Sequence, residues 1–147
     1  MATLTQTGAG TVGHMSSNAV AKCYVQSTVI DATSTALTSG DVYQAINVPA
    51  NSVVLNAGID VITAGTGTGT LSLGDGTVTY VAAAVQTSAG AMTSGDALAE
   101  LFVYYAAADT LDVTVATANT NSKVRVWALL ADIGGPIGDT ESGDTYA

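Results

Sequence analysis

Residues Val61 to Thr77 read "VITAGTGTGTLSLGDGT", five glycines set between two apolar runs. Glycines this dense either cradle a phosphate at the start of a helix or turn one strand into the next. A dinucleotide-binding fingerprint needs G-x-G-x-x-G between a strand and a helix. Started at Gly65 the pattern fails at Thr70, and started at Gly67 it fails at Ser72. A Walker loop closes on Gly-Lys-Ser/Thr, and no lysine stands between Lys22 and Lys123. The glycines lead into "TLSLGDGT", which alternates as a strand does and turns again at Gly74-Asp75-Gly76, so no helix N-terminus faces a phosphate. The stretch reads as two successive hairpin turns with glycine supplying positive φ.

Outward from that corner the chain continues in the same style. β-branched runs broken by turn residues predict eight strands: Val20–Ile30, Val42–Val48, Val53–Thr63, Thr70–Leu73, Val78–Val81, Leu98–Tyr105, Leu111–Thr117 and Val124–Ala131. An all-β chain with so many short strands folds as an antiparallel sandwich or barrel. Leu111, Val113 and Val115 alternate with Asp112 and Thr114, one face in the core and one in water. "ALTSGD" at Ala36–Asp41 returns as "AMTSGD" at Ala91–Asp96, either equivalent turns entering strands in two halves of a double-sheet fold or a chance likeness in a low-complexity chain; Asp41 and Asp96 are expected to accept backbone hydrogen bonds before a strand.

Residues 1–19 are small and polar without a period and read as an extended N-terminal arm. Within "SSNAVAK", Ser16 or Ser17 could cap a short helix. The sandwich domain is expected over 20–132, and 133–147 is a glycine-rich acidic tail.

Composition narrows the function. Charged residues make up 10% of the chain, against roughly 25% in a typical domain, so part of the exterior is expected to be covered by partners. The net charge is −9 and the cations are Lys22, Lys123 and Arg125, too few for a nucleic-acid footprint or an anionic membrane surface. No apolar run is long enough to span a bilayer, and the N-terminus lacks the pattern of a secretory signal. A single cysteine, Cys23, excludes an internal disulfide and a cysteine zinc site; it suits a reducing cytoplasm and reads as a small apolar filler.

Catalysis finds little material. His14 is the only histidine and lies in the arm, and the two glutamates, Glu100 and Glu141, stand far apart. Asp75, Asp96, Asp109 and Asp112 lie near turns without the ligand spacing of a calcium loop and read as solvated turn residues. No catalytic, cofactor-binding or metal-ligating residue is therefore assigned, and the chain is expected not to be an enzyme. The interaction candidate is the strand face that carries Lys123, Arg125 and Trp127. Either the two cations meet carboxylates of a neighbouring copy around a Trp127 anchor, or Trp127 fills a second buried sandwich face while the cations reach solvent at its edge.

"TALTSGDVYQAINVPANSVVLNAGIDVITAGTGTGTLSLGDG" resembles small structural proteins of tailed bacteriophages. The resemblance rests on Val48-Pro49-Ala50, the long strand Val53 to Thr63, the glycine and threonine turn, and Leu71 to Gly76, within residues 33 to 131. Among such proteins the chain is most similar to capsid decoration, or cement, proteins. That resemblance implies a jelly-roll-like sandwich, a homotrimer and a place on the capsid exterior of the virion, bridging neighbouring major capsid subunits after synthesis in the host cytoplasm. It implies no cofactor. The alternative is a trimeric receptor- or glycan-binding knob of a head or tail fibre.

Overall fold

The computed structural model describes residues 22–133. The expected arm, the Ser16–Lys22 helix apart from Lys22, His14, and the tail beyond Ile133 lie outside the described residues. The rest is two antiparallel sheets packed face to face. The strands are β1 Lys22–Asp31, β2 Val42–Val48, β3 Ser52–Thr63, β4 Thr70–Gly74, β5 Thr79–Val85, β6 Met92–Ser94, β7 Val103–Tyr105, β8 Asp109–Thr117 and β9 Lys123–Asp132. One sheet runs β1-β9-β3-β6, with β7 also paired to β3; the other runs β2-β8-β4-β5.

β6 and β7 lie along the same strand. β6 pairs with Gly58–Asp60 and β7 with Ser52–Val54, so together they occupy one interrupted sheet position. Counted that way there are eight positions, four per sheet. Successive strands alternate between the sheets except at the β4–β5 hairpin, the double Greek key of a jelly roll.

The core is the set of side chains between the sheets. Val124, Val126, Ala128 and Leu130 of β9 face Leu111, Val113 and Val115 of β8, all buried, which is the alternation expected of half-wet strands. In β3 the inward set steps from Val54 to Ala57, because Leu55 is an extra residue that breaks the register against β9.

Several expectations need correcting. Leu98–Tyr105 is not one strand: Leu98–Glu100 form a 3-10 turn, and only Val103–Tyr105 pair. Glu100 is the cause, its Oε2 accepting the N–H groups of Asp96 at 3.0 Å and Ala97 at 3.2 Å and so curling the chain away from the ladder. The two "TSGD" copies are not equivalent either. Thr38–Asp41 is a turn closed by Asp41 and by Gly40 at φ 94°, whereas Met92–Ser94 is itself strand and the Asp96 N–H donates to Glu100. Cys23 is exposed on the outward face of β1, not a core filler.

Gly65 and Gly69 do not serve as positive-φ positions, unlike Gly67 and Gly76. They make room for a side chain. A Cβ on Gly65 would stand 2.2 Å from Asn119 Nδ2, and one on Gly69 would stand 2.4 Å from Asn119 Cβ. The glycine loop folds over a buried asparagine from the β8–β9 connection, and the Gly65 N–H donates to the Gln86 carbonyl at 2.9 Å while the Gln86 N–H donates to the Gly69 carbonyl at 3.1 Å. The run is therefore not two hairpins: β3 and β4 belong to different sheets, so the Gly65–Gly69 segment carries the chain across as a packed layer, and only the Gly74–Gly76 turn joins paired strands, β4 and β5.

Candidate interaction surface

The residues singled out on β9 stand on the outward face of the first sheet. β9 is flanked by β1 and β3, and its outward side chains meet theirs in register: Lys123 opposite Asp31, Arg125 opposite Asp60, Trp127 opposite Ser27 and Gly58. Both cations are paired within the chain. Lys123 Nζ lies 2.7 Å from Asp31 and Arg125 Nη1 lies 3.5 Å from Asp60. The Lys123 ammonium, aided by the Thr33 hydroxyl and N–H, holds the Asp31 carboxyl down at about 2. These pairs are exposed enough that water screens most of their contribution to stability.

Trp127 is half-buried, and Gly58 is why. A Cβ there would stand 2.7 Å from the indole ring and 2.7 Å from the Thr93 carbonyl. The ring packs into the space left by the missing Gly58 side chain, and its Nε1 finds no acceptor among the described residues. Trp127 is thus neither in the core between the sheets nor fully exposed. Beside it an open cavity of about 610 Å³ is lined by Val25, Ser27, Asp60, Met92, Arg125 and Trp127. Val25 and Met92 expose 62% and 64% of their surface, which makes this face an apolar floor fenced by two ion pairs.

A second cluster holds the sandwich together at the other side of the glycine run. Asp75 Oδ1 accepts the N–H groups of Thr77 at 2.7 Å and Val78 at 2.6 Å, closing the Gly74–Asp75–Gly76 turn. Its other oxygen accepts the Tyr105 hydroxyl of β7 at 2.5 Å. With that proton committed, the Tyr80 hydroxyl donates to Tyr105 across 3.0 Å. Burial pushes the Asp75 carboxyl up, but the Tyr105, Val78 and Thr77 bonds outweigh it and leave it below the ordinary value. Burial pushes Tyr80 up to about 12, and burial together with the Asp75 bond pushes Tyr105 up as well. All three therefore keep one protonation state across neutral pH, as a structural tie does and a proton carrier does not. Among the described residues no group of three or more His, Cys, Asp or Glu side chains is placed to hold a metal.

Sequence reasoning missed Val25, Met92, Leu98 and Phe102, four exposed apolar side chains. The signal for the last two was the Asp96-Ala97-x-x-Glu100 spacing, half of a capping box, which argued against continuous strand there.

Comparison with known proteins finds likeness in structure alone. No family model matches the chain and no curated protein matches its sequence. A chain in the capsid of Ralstonia phage GP4 superposes with a TM-score of 0.58 at 18% identity, covering 76% of this chain and 84% of that one. A chain in the acidic stable capsid of Helicobacter pylori bacteriophage KHP30 gives 0.58 at 15% identity, covering 76% and 88%. A chain in the capsid asymmetric unit of cyanophage Pam1 gives 0.57 at 23% identity, covering 77% and 86%. At these identities the similarity is one of fold: an antiparallel jelly-roll sandwich of the kind found in those capsids.

Proposed function

We propose that this chain is a bacteriophage virion structural protein, a decoration protein that sits as a homotrimer on the capsid exterior and bridges neighbouring major capsid subunits. The observation that carries the reading is the fold shared, over about three quarters of the chain, with chains of three phage capsids. The surface supports it. The Lys123, Arg125 and Trp127 face offers broad apolar floor and internally paired charge, which suits covering another protein better than holding a small molecule. The role asks for no reaction, cofactor, nucleic acid or membrane. A clip that binds only the assembled lattice stabilises it by mass action, and three weak seats on one oligomer reinforce one another.

The test is addition of the purified chain to heads that lack it. Binding at micromolar concentration or tighter is expected, with heads that then release DNA at a higher temperature. Val25→Asp and Met92→Asp, both on exposed positions of the face, are expected to abolish binding without unfolding the protein. Wild-type protein that does not bind heads overturns the reading. One observation favours the fibre-knob alternative: Phe102 and Tyr104 are exposed aromatics, 67% and 52% accessible, of the kind that stack on sugars. Binding on a glycan array, with no binding to heads, would decide for it.

A further inference from the structure

A sheet edge leaves a row of N–H and C=O groups without a ladder partner, and folded chains blunt such edges with bulges, charges, proline or brevity. Among the described residues the two sheets end in β1 and β6/β7, and in β2 and β5. β2 slips its register against β8 between Gln44 and Ile46, and β5 slips against β4 where Leu71 gives way to Leu73. The β6/β7 edge is two short strands broken by the loop over residues 95–102. β1 differs. It pairs with β9 over its whole length of 10 residues without a shift, and from Cys23 to Ile30 it carries no charge and no proline. Val25 and Val29 on it are 62% and 49% exposed.

The backbone phase of this edge is fixed by its neighbours. In an antiparallel ladder each residue turns both backbone groups toward one neighbouring strand or the other, in alternation. The Ala32 N–H donates to the Ser122 carbonyl at 2.8 Å, one step past the Asp31–Lys123 pair. On the far side of β9, Val61 stands opposite Val124 yet donates its N–H to the Ala91 carbonyl at 2.8 Å, away from β9. Val124 therefore turns its own groups to Ile30. Both bonds assign the even-numbered residues from Tyr24 to Ile30 to the β9 ladder. Cys23, Val25, Ser27, Val29 and Asp31 direct their N–H and C=O groups out of the sheet, and their side chains stand on the Trp127 face.

We infer that β1 pairs antiparallel with β1 of a second copy across a two-fold axis through Ser27. Free groups must meet free groups, so odd-numbered residues pair with odd-numbered ones. Full overlap from Cys23 to Asp31 sets Ser27 opposite Ser27 of the second copy and Val25 opposite its Val29. On the inward side Tyr24 then meets Ile30, and Gln26 meets Thr28. Apolar faces apolar, polar faces polar, and no like charges are opposed. A slip of one pairing step sets Val25 against Ser27 in one direction and against Asp31 in the other, which loses that match. The axis stands normal to the sheet, so both Trp127 faces look the same way and can lie on one surface. The same patch is used by both copies, an isologous contact. It does not rest on the homotrimer proposed above, since it joins a copy in one trimer to a copy in the next.

Cross-linking reads the register. In chains carrying Cys23→Ser, which removes the one thiol of the sequence, Ser27→Cys places two sulfurs across the axis. The Cα atoms there stand about 5.5 Å apart, within disulfide reach. Mild oxidation is expected to give a linked pair on a non-reducing denaturing gel. Val25→Cys alone is expected to give none, because its two copies stand about 14 Å apart along the strands. Val25→Cys combined with Val29→Cys is expected to link. Adding Ser27→Pro to that double variant should lower the linked yield at least about tenfold, since proline closes the free edge. Ser27→Pro removes an N–H that the fold of one copy does not use, and should melt within a few degrees of its parent. Thr28→Pro removes a ladder bond and should melt far lower. A Ser27→Cys chain that stays unlinked overturns the inference, as does Val25→Cys that links equally well. A linked yield that Ser27→Pro leaves unchanged, or a Ser27→Pro chain that melts as low as Thr28→Pro, also overturns it. Binding of the wild-type chain to heads is measured separately, so each of these failures leaves the proposed function standing.

Discussion

Asp75 shows how much one side chain of the "LGDG" step does. Four polar groups converge on it or through it: two turn N–H groups, the Tyr105 hydroxyl, and behind that the Tyr80 hydroxyl. The first sheet is thereby tied to the second through β7 and β5, so the motif is a fastening. Asp75→Ala removes the acceptor and leaves the buried hydroxyls with one partner fewer, an expected cost of about 2 kcal/mol in chemical denaturation. The pH dependence has a definite sign. Because the folded carboxyl titrates below its ordinary value of 3.8, the folded chain binds fewer protons there than the unfolded one. Its contribution is complete above that ordinary value and is lost as the pH falls through the lowered one. Asp75→Asn should therefore flatten part of the acid limb of the stability curve below about pH 4 and leave neutral behaviour parallel to wild type. An unchanged acid limb would mean that the Tyr105 bond does not form in solution.

At the level of elements, the strands were readable and their interruptions were not. β8 and β9 follow from alternation because each has one face in the core, and nothing distant alters that pattern. The glycine run is readable as a corner, but its cause is not: Asn119 lies some fifty residues downstream and meets Gly65 and Gly69 only once the sheets have paired. The same holds for Trp127, whose outward place was visible from the period while the glycine beneath it required the β3–β9 register. β6 and β7 failed for a local reason, since the Leu98–Tyr105 composition suits a strand and a single carboxylate, Glu100, diverts it. The Asn119 contact gives the prediction proper to this scale. Gly69→Ala keeps every hydrogen bond but drives a methyl into Asn119 Cβ, an atom that cannot swing away, and should cost about 1–3 kcal/mol of stability. Asn119→Gly in the same chain should recover part of that loss, as neighbours sharing one space do. Full additivity of the two substitutions would show that the loop does not rest on Asn119.

For the whole molecule the question is what would drive the proposed trimer together when its copies repel one another. The chain has twelve acidic and three basic residues, and Lys123 and Arg125 already answer to Asp31 and Asp60 within their own copy. Neither of these two cations is left unpaired to attract a second copy, and at a net charge of −9 long-range electrostatics opposes association. The exposed apolar surface is what favours it: Val25 and Met92 on the sheet face, Leu98 and Phe102 on the loop. Those two terms respond oppositely to salt. Screening weakens repulsion at a Debye length that shrinks from about 30 Å at 0.01 M to about 3 Å at 1 M, and leaves apolar burial nearly untouched. Self-association should therefore tighten, by roughly threefold to tenfold, when sodium chloride is raised from about 0.02 M to 0.5 M in sedimentation equilibrium at neutral pH. An interface carried by ion pairs between copies would loosen over the same range. Should the complex loosen, the Lys123 and Arg125 pairs must open on assembly and exchange their own carboxylates for a neighbour's, and apolar contact would no longer be the force that holds the copies together.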